Sequence, residues 1–222
     1  MSKYNPSGKI LTLEGFKKIV GDYTDKSILD YGGNKGNLIT FSQGTIKQQN
    51  YTCIDVDKNA IEDGKKEFPN ARFMHYNRFS PMYNNGNFNE PHLQLDQKYD
   101  ICFSHSIFTH TDLHTFIETI SYLKDHAKSL FISFVSTKNH RMKKWVYDKR
   151  CNEYNSCVDL DIDCDYFYLV NNDKIYIEEN IHNNSDDYFF SFYNLDFIKK
   201  TFECDIVTNS DEHMHDFMII RT

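Results

Sequence analysis

Short apolar runs alternate with amphipathic stretches along the first 136 residues. The apolar runs end at turn signals and predict buried strands, and the stretches between them have the spacing of amphipathic helices. Strands are predicted at SILDYGG (27–33), YTCIDVD (51–57), ARFMHY (71–76), YDICFSHSIF (99–108) and SLFISFVS (129–136). Helices are predicted at LTLEGFKKIV, NLITFSQGTIK, KNAIEDGKKEF and TDLHTFIETISYLKDHA; the last is expected to be capped by Thr111 and to bury Leu113, Phe116, Ile117, Ile120 and Leu123. Such alternation is typical of a doubly wound parallel sheet.

The pattern changes after the fifth strand. Residues 137–190 begin with the basic run KNHRMKKWVYDKR and contain a predicted β-hairpin, DYFYLV and KIYIEE around an Asn-rich turn. Regularity returns with the helix NLDFIKKTFE and the strands CDIVT and DFMIIRT. No helix fits between these two strands, so they are expected to be antiparallel neighbours.

The fold class that follows is α/β, with a doubly wound, mostly parallel seven-stranded sheet and an antiparallel last strand. One domain is expected to span residues 1–222, with residues 137–190 as an inserted β-hairpin region on the substrate side. A length of 222 residues fits one compact domain, and an aromatic content of 15% supports a sizeable core.

Composition and charge exclude several classes of protein. The net charge of −7 argues against a nucleic-acid binder, whose footprint is basic. No apolar run approaches the roughly 18 residues of a membrane-spanning helix, and the segment MSKYNPSGKI has no signal-peptide core. The six cysteines form no CxxC pair and no other zinc-type spacing, so reduced thiols and no metal site are expected. These features predict a soluble cytoplasmic protein without nucleic-acid or membrane partners, and leave its oligomeric state open.

A glycine-rich segment, Asp30–Gly36, follows the first strand. Glycines between a strand and a helix let backbone N–H groups approach a ligand closely. Asp30 stands ahead of the turn, where a carboxylate would repel a pyrophosphate and attract a cationic ammonium or sulfonium group. At the end of the second strand, Asp55 is placed to accept the hydroxyls of a ribose. Asp57 can serve there too, or can cap the helix that starts at Lys58.

These segments resemble the class I S-adenosylmethionine-dependent methyltransferases. The first-motif rhythm of an acid followed by spaced glycines matches Asp30, Gly32 and Gly36, with Asn34 in place of the middle glycine. IDVDKNAI resembles the second motif, HYNRF falls where the family contacts adenine, and YDICFSHSIFTH resembles the fourth motif. The resemblance covers residues 1–136 and 190–222. It implies S-adenosylmethionine as cofactor, bound by Asp30, Gly32, Gly33, Gly36, Asp55, Val56, Asn77 and Ser104.

Two histidines follow the fourth strand at the expected ligand-binding edge of the sheet. His105 or His110 could remove a proton from a substrate hydroxyl as the sulfonium methyl is attacked. Alternatively, His105 packs under the cofactor and His110 helps to cap the next helix. A metal site formed with His114 lacks an acidic companion in the sequence.

The resemblance implies methyl transfer to a hydroxyl oxygen of a small molecule or glycan. FSHSIFTH and HYNRF look most like segments of enzymes that tailor bacterial surface polysaccharides. The basic run, with Arg141, Lys143 and Lys144, could recognise an anionic acceptor or form a solvated face. A nucleotide-binding module without methyl transfer is the alternative, favoured by Asn34. A nicotinamide-dependent oxidoreductase is disfavoured by Asp30 and by the reversed last strand.

Overall fold

The computed structural model describes residues 20–78, 90–139, 164–170, 174–177, 189–207 and 215–222, together with residues 17, 80, 84, 86 and 87. Its main sheet contains β1 (Ile28–Tyr31), β2 (Tyr51–Asp55), β3 (Arg72–His75), β4 (Ile101–Ser104), β5 (Ser129–Phe134), β9 (Asp205–Val207) and β10 (Asp216–Arg221). A smaller sheet contains β6 (Tyr166–Val170), β7 (Lys174–Ile177) and β8 (Phe189–Tyr193).

The main sheet has seven strands in the order β3-β2-β1-β4-β5-β10-β9. The first five strands of this order run parallel, and β10 is antiparallel to both β5 and β9. The predicted fold class and the antiparallel last strand are therefore confirmed. The antiparallel direction brings the start of β10 to the edge where the parallel strands end.

Four helices accompany these strands in the described residues: α1 (Asn37–Phe41), α2 (Lys58–Glu67), α3 (Leu113–His126) and α4 (Leu195–Phe202). Helix α1 is shorter than predicted because Gln43 and Gly44 have positive φ angles of 51° and 86°, which end the helical path. The predicted cap of α3 was wrong by one residue, since Asp112 rather than Thr111 accepts the N–H of Thr115, at 2.8 Å.

The helices cover both faces of the main sheet. Leu38 and Ile39 of α1 and Ile61 of α2 pack on one face, in a core that includes Ile28 and Phe131. Residues of α3 and α4 pack on the other face, where the buried side chains include Phe116, Ile120, Leu123, Ile198 and Phe202. Ile117 was wrongly placed in this stripe: it is 37% exposed, at the margin of the buried face of α3.

The smaller sheet has the order β7-β6-β8, with antiparallel pairing throughout. Pairing of β6 with β7 confirms the predicted hairpin, while its turn lies outside the described residues. Strand β8 was not predicted, because its side chains are almost all aromatic and do not alternate between apolar and polar. The Tyr193 N–H donates to the Val135 carbonyl at 2.9 Å, and the Thr137 N–H donates to the Tyr193 carbonyl at 2.9 Å. The smaller sheet therefore begins where β5 ends.

Two predicted segments lie largely or wholly outside the described residues: the helix in LTLEGFKKIV and the basic run after residue 139. Among the residues that are described, none of the helices combines the length and apolar character needed to cross a membrane.

Candidate functional site

The glycine turn lies at the carboxyl end of β1 and folds over the end of β2. The N–H groups of Gly32 and Gly33 donate to the Ile54 carbonyl at 2.7 and 3.3 Å. Gly32 and Gly36 have φ angles of +80° and +92°, which a side chain would strain, and a β-carbon at Gly32 would also overlap Ile107. Asn34 has a φ of 53°. Asparagine is among the residues that tolerate this region, so the missing middle glycine leaves the shape of the turn feasible.

Asp30 lies beneath this turn and is 3% exposed. Its carboxylate accepts the hydroxyl of Tyr51. Burial is the main cause that raises the pKa of Asp30 to about 7; the bond from Tyr51 opposes this rise, and the nearby charge of Asp55 adds to it. A β-carbon at Gly33 would overlap this carboxylate. Asp30 therefore supports the turn from below, and its expected contact with a cationic ligand stays a prediction.

Asp55 joins the end of β2 to the glycine turn. Its Oδ2 accepts the Asn34 N–H at 2.6 Å, and its Oδ1 accepts the Asp57 N–H at 2.8 Å. Burial raises the pKa of Asp55, and these two N–H groups oppose the rise. Asp57 itself caps α2, accepting the N–H groups of Asn59 and Ala60. Val56 is half-buried, and its carbonyl lies 3.1 Å from Nε2 of His75.

Ser104 ends β4 at the same edge of the sheet. Its side chain is completely buried, and within the described part of the chain its Oγ has no hydrogen-bond partner. A buried hydroxyl without a partner is costly, so a ligand or water that bonded to it would be favoured.

His105 continues from β4 and is half-buried. Its ring lies 4.8 Å from the ring of His215 and stacks on Phe103 and Phe217 at 6.2 and 6.0 Å. His215 was missed in the sequence, although one signal was available. It directly precedes the last strand, and an antiparallel last strand begins at the edge where the parallel strands end.

His110 belongs to a short 3₁₀ turn, Phe108–His110, and packs edge-on against Phe190 of β8, with ring centroids 4.6 Å apart. The two candidate bases therefore have different surroundings: β10 borders His105, and the smaller sheet borders His110.

Asn77, expected to contact adenine, is exposed just after β3. Its side-chain oxygen accepts Nδ2 of Asn84 at 3.3 Å, and its carbonyl accepts the Asn87 N–H at 3.0 Å. Its contact with adenine stays a prediction. The expected acceptor contacts Arg141, Lys143 and Lys144 lie outside the described residues.

Comparison with solved structures shows what the fold is similar to. The chain is similar to an S-adenosylmethionine-dependent methyltransferase from Clostridium acetobutylicum ATCC 824 (TM-score 0.53, 13% identity, covering 87% of this chain and 82% of that one). It is also similar to magnesium protoporphyrin IX methyltransferase from Synechocystis PCC 6803 with bound SAH (TM-score 0.53, 13% identity, covering 95% of this chain and 82% of that one). A third similar structure is a glycopeptide N-methyltransferase complexed with S-adenosyl-L-homocysteine (TM-score 0.54, 8% identity, covering 95% of this chain and 88% of that one). No family model and no curated protein matches the sequence. At these identities the likeness shows a Rossmann-like methyltransferase fold.

Proposed function

We propose that this chain is an S-adenosylmethionine-dependent methyltransferase that acts on a hydroxyl oxygen of a small molecule or a sugar. The observation that supports this most is the convergence of the glycine turn, Asp55 and Ser104 at the carboxyl ends of β1, β2 and β4. Ligands of open α/β sheets bind at this edge. Two of the similar structures hold S-adenosylhomocysteine, the product that such a reaction leaves.

The residues present fit this cofactor in two respects. Each carboxylate oxygen of Asp55 accepts one backbone N–H, and an oxygen of this kind has a further lone pair for a ribose hydroxyl. The Ser104 hydroxyl is buried at the same edge and makes no hydrogen bond in the described part of the chain. A polar group of the cofactor can bond to it.

Asp30 favours a cofactor without a pyrophosphate. In dinucleotide folds the first N–H groups of the helix after the glycine turn bind the pyrophosphate. Here a buried carboxyl, Asp30, lies directly beneath the turn and accepts the hydroxyl of Tyr51. A pyrophosphate bound there would be repelled by Asp30 in its ionised form. Asn34 does not favour a module without activity, because its backbone adopts the left-handed conformation that a glycine there would provide.

S-adenosylmethionine supplies an electrophilic methyl group on a sulfonium. For an alcohol acceptor, we propose that a neutral imidazole, His105 or His110, accepts the hydroxyl proton on its unprotonated ring nitrogen. Phe103 and Phe217 hold the ring of His105, and Phe190 holds the ring of His110. Most of the rate acceleration is expected from proximity and orientation.

The acceptor is proposed to bind along the insert 137–190, because its described part begins where β5 ends. A glycan of a surface polysaccharide is our preferred acceptor. If Arg141, Lys143 and Lys144 recognise an anionic acceptor, replacing all three with serine will raise the acceptor KM and leave cofactor affinity unchanged.

The proposed function is tested by a thermal-shift screen followed by calorimetry with S-adenosylmethionine, S-adenosylhomocysteine, NAD and NADP. We expect the first two to stabilise the protein and the nicotinamide cofactors to leave its melting temperature unchanged. Stabilisation by NAD or NADP alone would overturn the proposal. Binding of S-adenosylhomocysteine without turnover on any hydroxylated acceptor would favour the non-catalytic module.

A further inference from the structure

The loop between β4 and α3, residues 105–112, is held by hydroxyl groups of the smaller sheet. The hydroxyl of Tyr168 on β6 accepts the Leu113 N–H at 2.8 Å. On β8, the hydroxyls of Ser191 and Tyr193 both donate to the Thr111 carbonyl, at 2.6 and 3.2 Å. Three side chains of one sheet therefore bind two backbone groups, one on either side of Asp112, at the end of the loop.

Within the part of the chain that the structure describes, the Thr111 carbonyl and the Leu113 N–H form no other hydrogen bond. Leu113 is the first residue of α3 after its cap, and the first N–H groups of a helix have no intrahelical acceptor. Water would normally satisfy such groups at a loop end. Here the hydroxyls of three buried side chains bond to these groups; the exposed fractions are 1% for Tyr168, 0% for Ser191 and 0% for Tyr193.

The other end of the loop is anchored on the main sheet. Ser106 has a φ of 63°, a left-handed conformation that serine rarely adopts, and its N–H donates to Oγ of Ser133 on β5 at 2.7 Å. His105 adjoins this anchor, and His110 adjoins the anchor on the smaller sheet, where it packs on Phe190. Both candidate bases thus lie on a short segment fixed at its two ends.

We propose that the smaller sheet positions the loop between β4 and α3 for methyl transfer, and that Tyr168 and Ser191 are positioning residues of the reaction. This inference rests on the proposed function, because the loop carries the candidate bases. Tyr193 contributes a third hydroxyl and also ties β8 to the end of β5 through its backbone. Through Tyr168 the insert then takes part in positioning this loop, in addition to its proposed place beside the acceptor.

Hydrogen exchange of the full-length chain tests the anchor, with Tyr168→Phe as the variant and Tyr166→Phe as the control. The control removes the same atom from the same strand, at a ring that contacts the ring of Tyr168 and Phe197 of α4. Loss of one hydrogen bond is expected to speed amide exchange in residues 105–113 roughly three- to tenfold. The control is expected to leave this segment unchanged. Equal exchange in both variants, with or without S-adenosylhomocysteine, would overturn the inference.

Turnover separates positioning from a purely structural role. Release of S-adenosylhomocysteine is followed with a panel of methyl glycosides as acceptors, beside calorimetry with the same product. We expect Tyr168→Phe to lower kcat by roughly three- to tenfold and to leave the S-adenosylmethionine KM and the product affinity within about twofold. The positioning role would be overturned if Tyr168→Phe speeds exchange in residues 105–113 and leaves kcat unchanged. It would also be overturned if the wild type shows no turnover with these acceptors. Absence of S-adenosylhomocysteine binding in the wild type would instead refute the proposed function, and exchange would still decide whether the anchor exists.

Discussion

Replacing Asp30 with asparagine tests whether a buried acid supports the glycine turn. The change removes a charge at a side chain that is 3% exposed, while keeping its size and an oxygen that can accept the Tyr51 hydroxyl. Because the ionised form of a buried carboxyl is disfavoured, wild-type stability should depend on pH in a way that the variant's does not. We expect Asp30→Asn to gain stability relative to the wild type as the pH rises.

The size of this effect follows from linkage between protonation and folding. Burial raises the pKa of Asp30 from 3.8 to about 7. Between these values the folded protein keeps a proton that the unfolded chain loses, so the free energy of unfolding falls with rising pH by about 1.4 kcal/mol per pH unit. The fall stops above the folded-state pKa. Between pH 5 and pH 8 the wild type should therefore lose roughly 3 kcal/mol through this one group.

Urea unfolding at several pH values, followed by circular dichroism, measures the difference between variant and wild type. Groups that do not interact with Asp30 cancel in this difference, which should rise by roughly 3 kcal/mol between pH 5 and pH 8. Asp100→Asn is the matched control: the hydrogen bonds from Lys128 and Ser27 lower the pKa of Asp100 to about 2, so this group is ionised in both states across the range. Parallel curves for Asp30→Asn and the wild type would refute the buried-acid argument.

Three further changes test the candidate site. Asp55→Ala should weaken S-adenosylhomocysteine binding by roughly 1.5–3 kcal/mol, as expected for charge-assisted hydrogen bonds, and unchanged affinity by calorimetry in a folded variant would reject the ribose contact. Gly32→Ala should lower the melting temperature and the affinity for S-adenosylhomocysteine more than Gly44→Ala does. Both glycines have a positive φ, but only at Gly32 would a β-carbon meet a neighbouring side chain. Equal losses of melting temperature and affinity in the two variants would contradict this. Ser104→Ala should weaken S-adenosylmethionine binding by roughly 0.5–1.5 kcal/mol and barely change the free energy of unfolding. Ser133→Ala should instead lower the free energy of unfolding by about 1–3 kcal/mol, because the Ser106 N–H loses its acceptor. The reverse order in urea unfolding would argue against an unsatisfied Ser104.

The sheet and the glycine turn could be predicted because their signals are local. Apolar runs separated by amphipathic helices specify a parallel sheet, and the short polar link before DFMIIRT allows only an antiparallel neighbour. The placement of Asp30 could not be predicted in the same way. The buried carboxylate accepts the hydroxyl of Tyr51, which stands 21 residues away on the neighbouring strand. Sequence spacing locates the acid at the end of β1 and leaves open whether it faces a ligand or the interior.

The contacts between the smaller sheet and the loop after β4 were beyond prediction for a related reason. Tyr168 lies 55 residues from Leu113, and Ser191 and Tyr193 lie 80 and 82 residues from Thr111. Side chain to backbone bonds over such separations leave no periodic trace in a sequence. His215 is different, because strand direction alone brings it to the ligand-binding edge. A predicted antiparallel last strand therefore directs the search for site residues to the segment before that strand, as well as to the loops that follow the parallel strands.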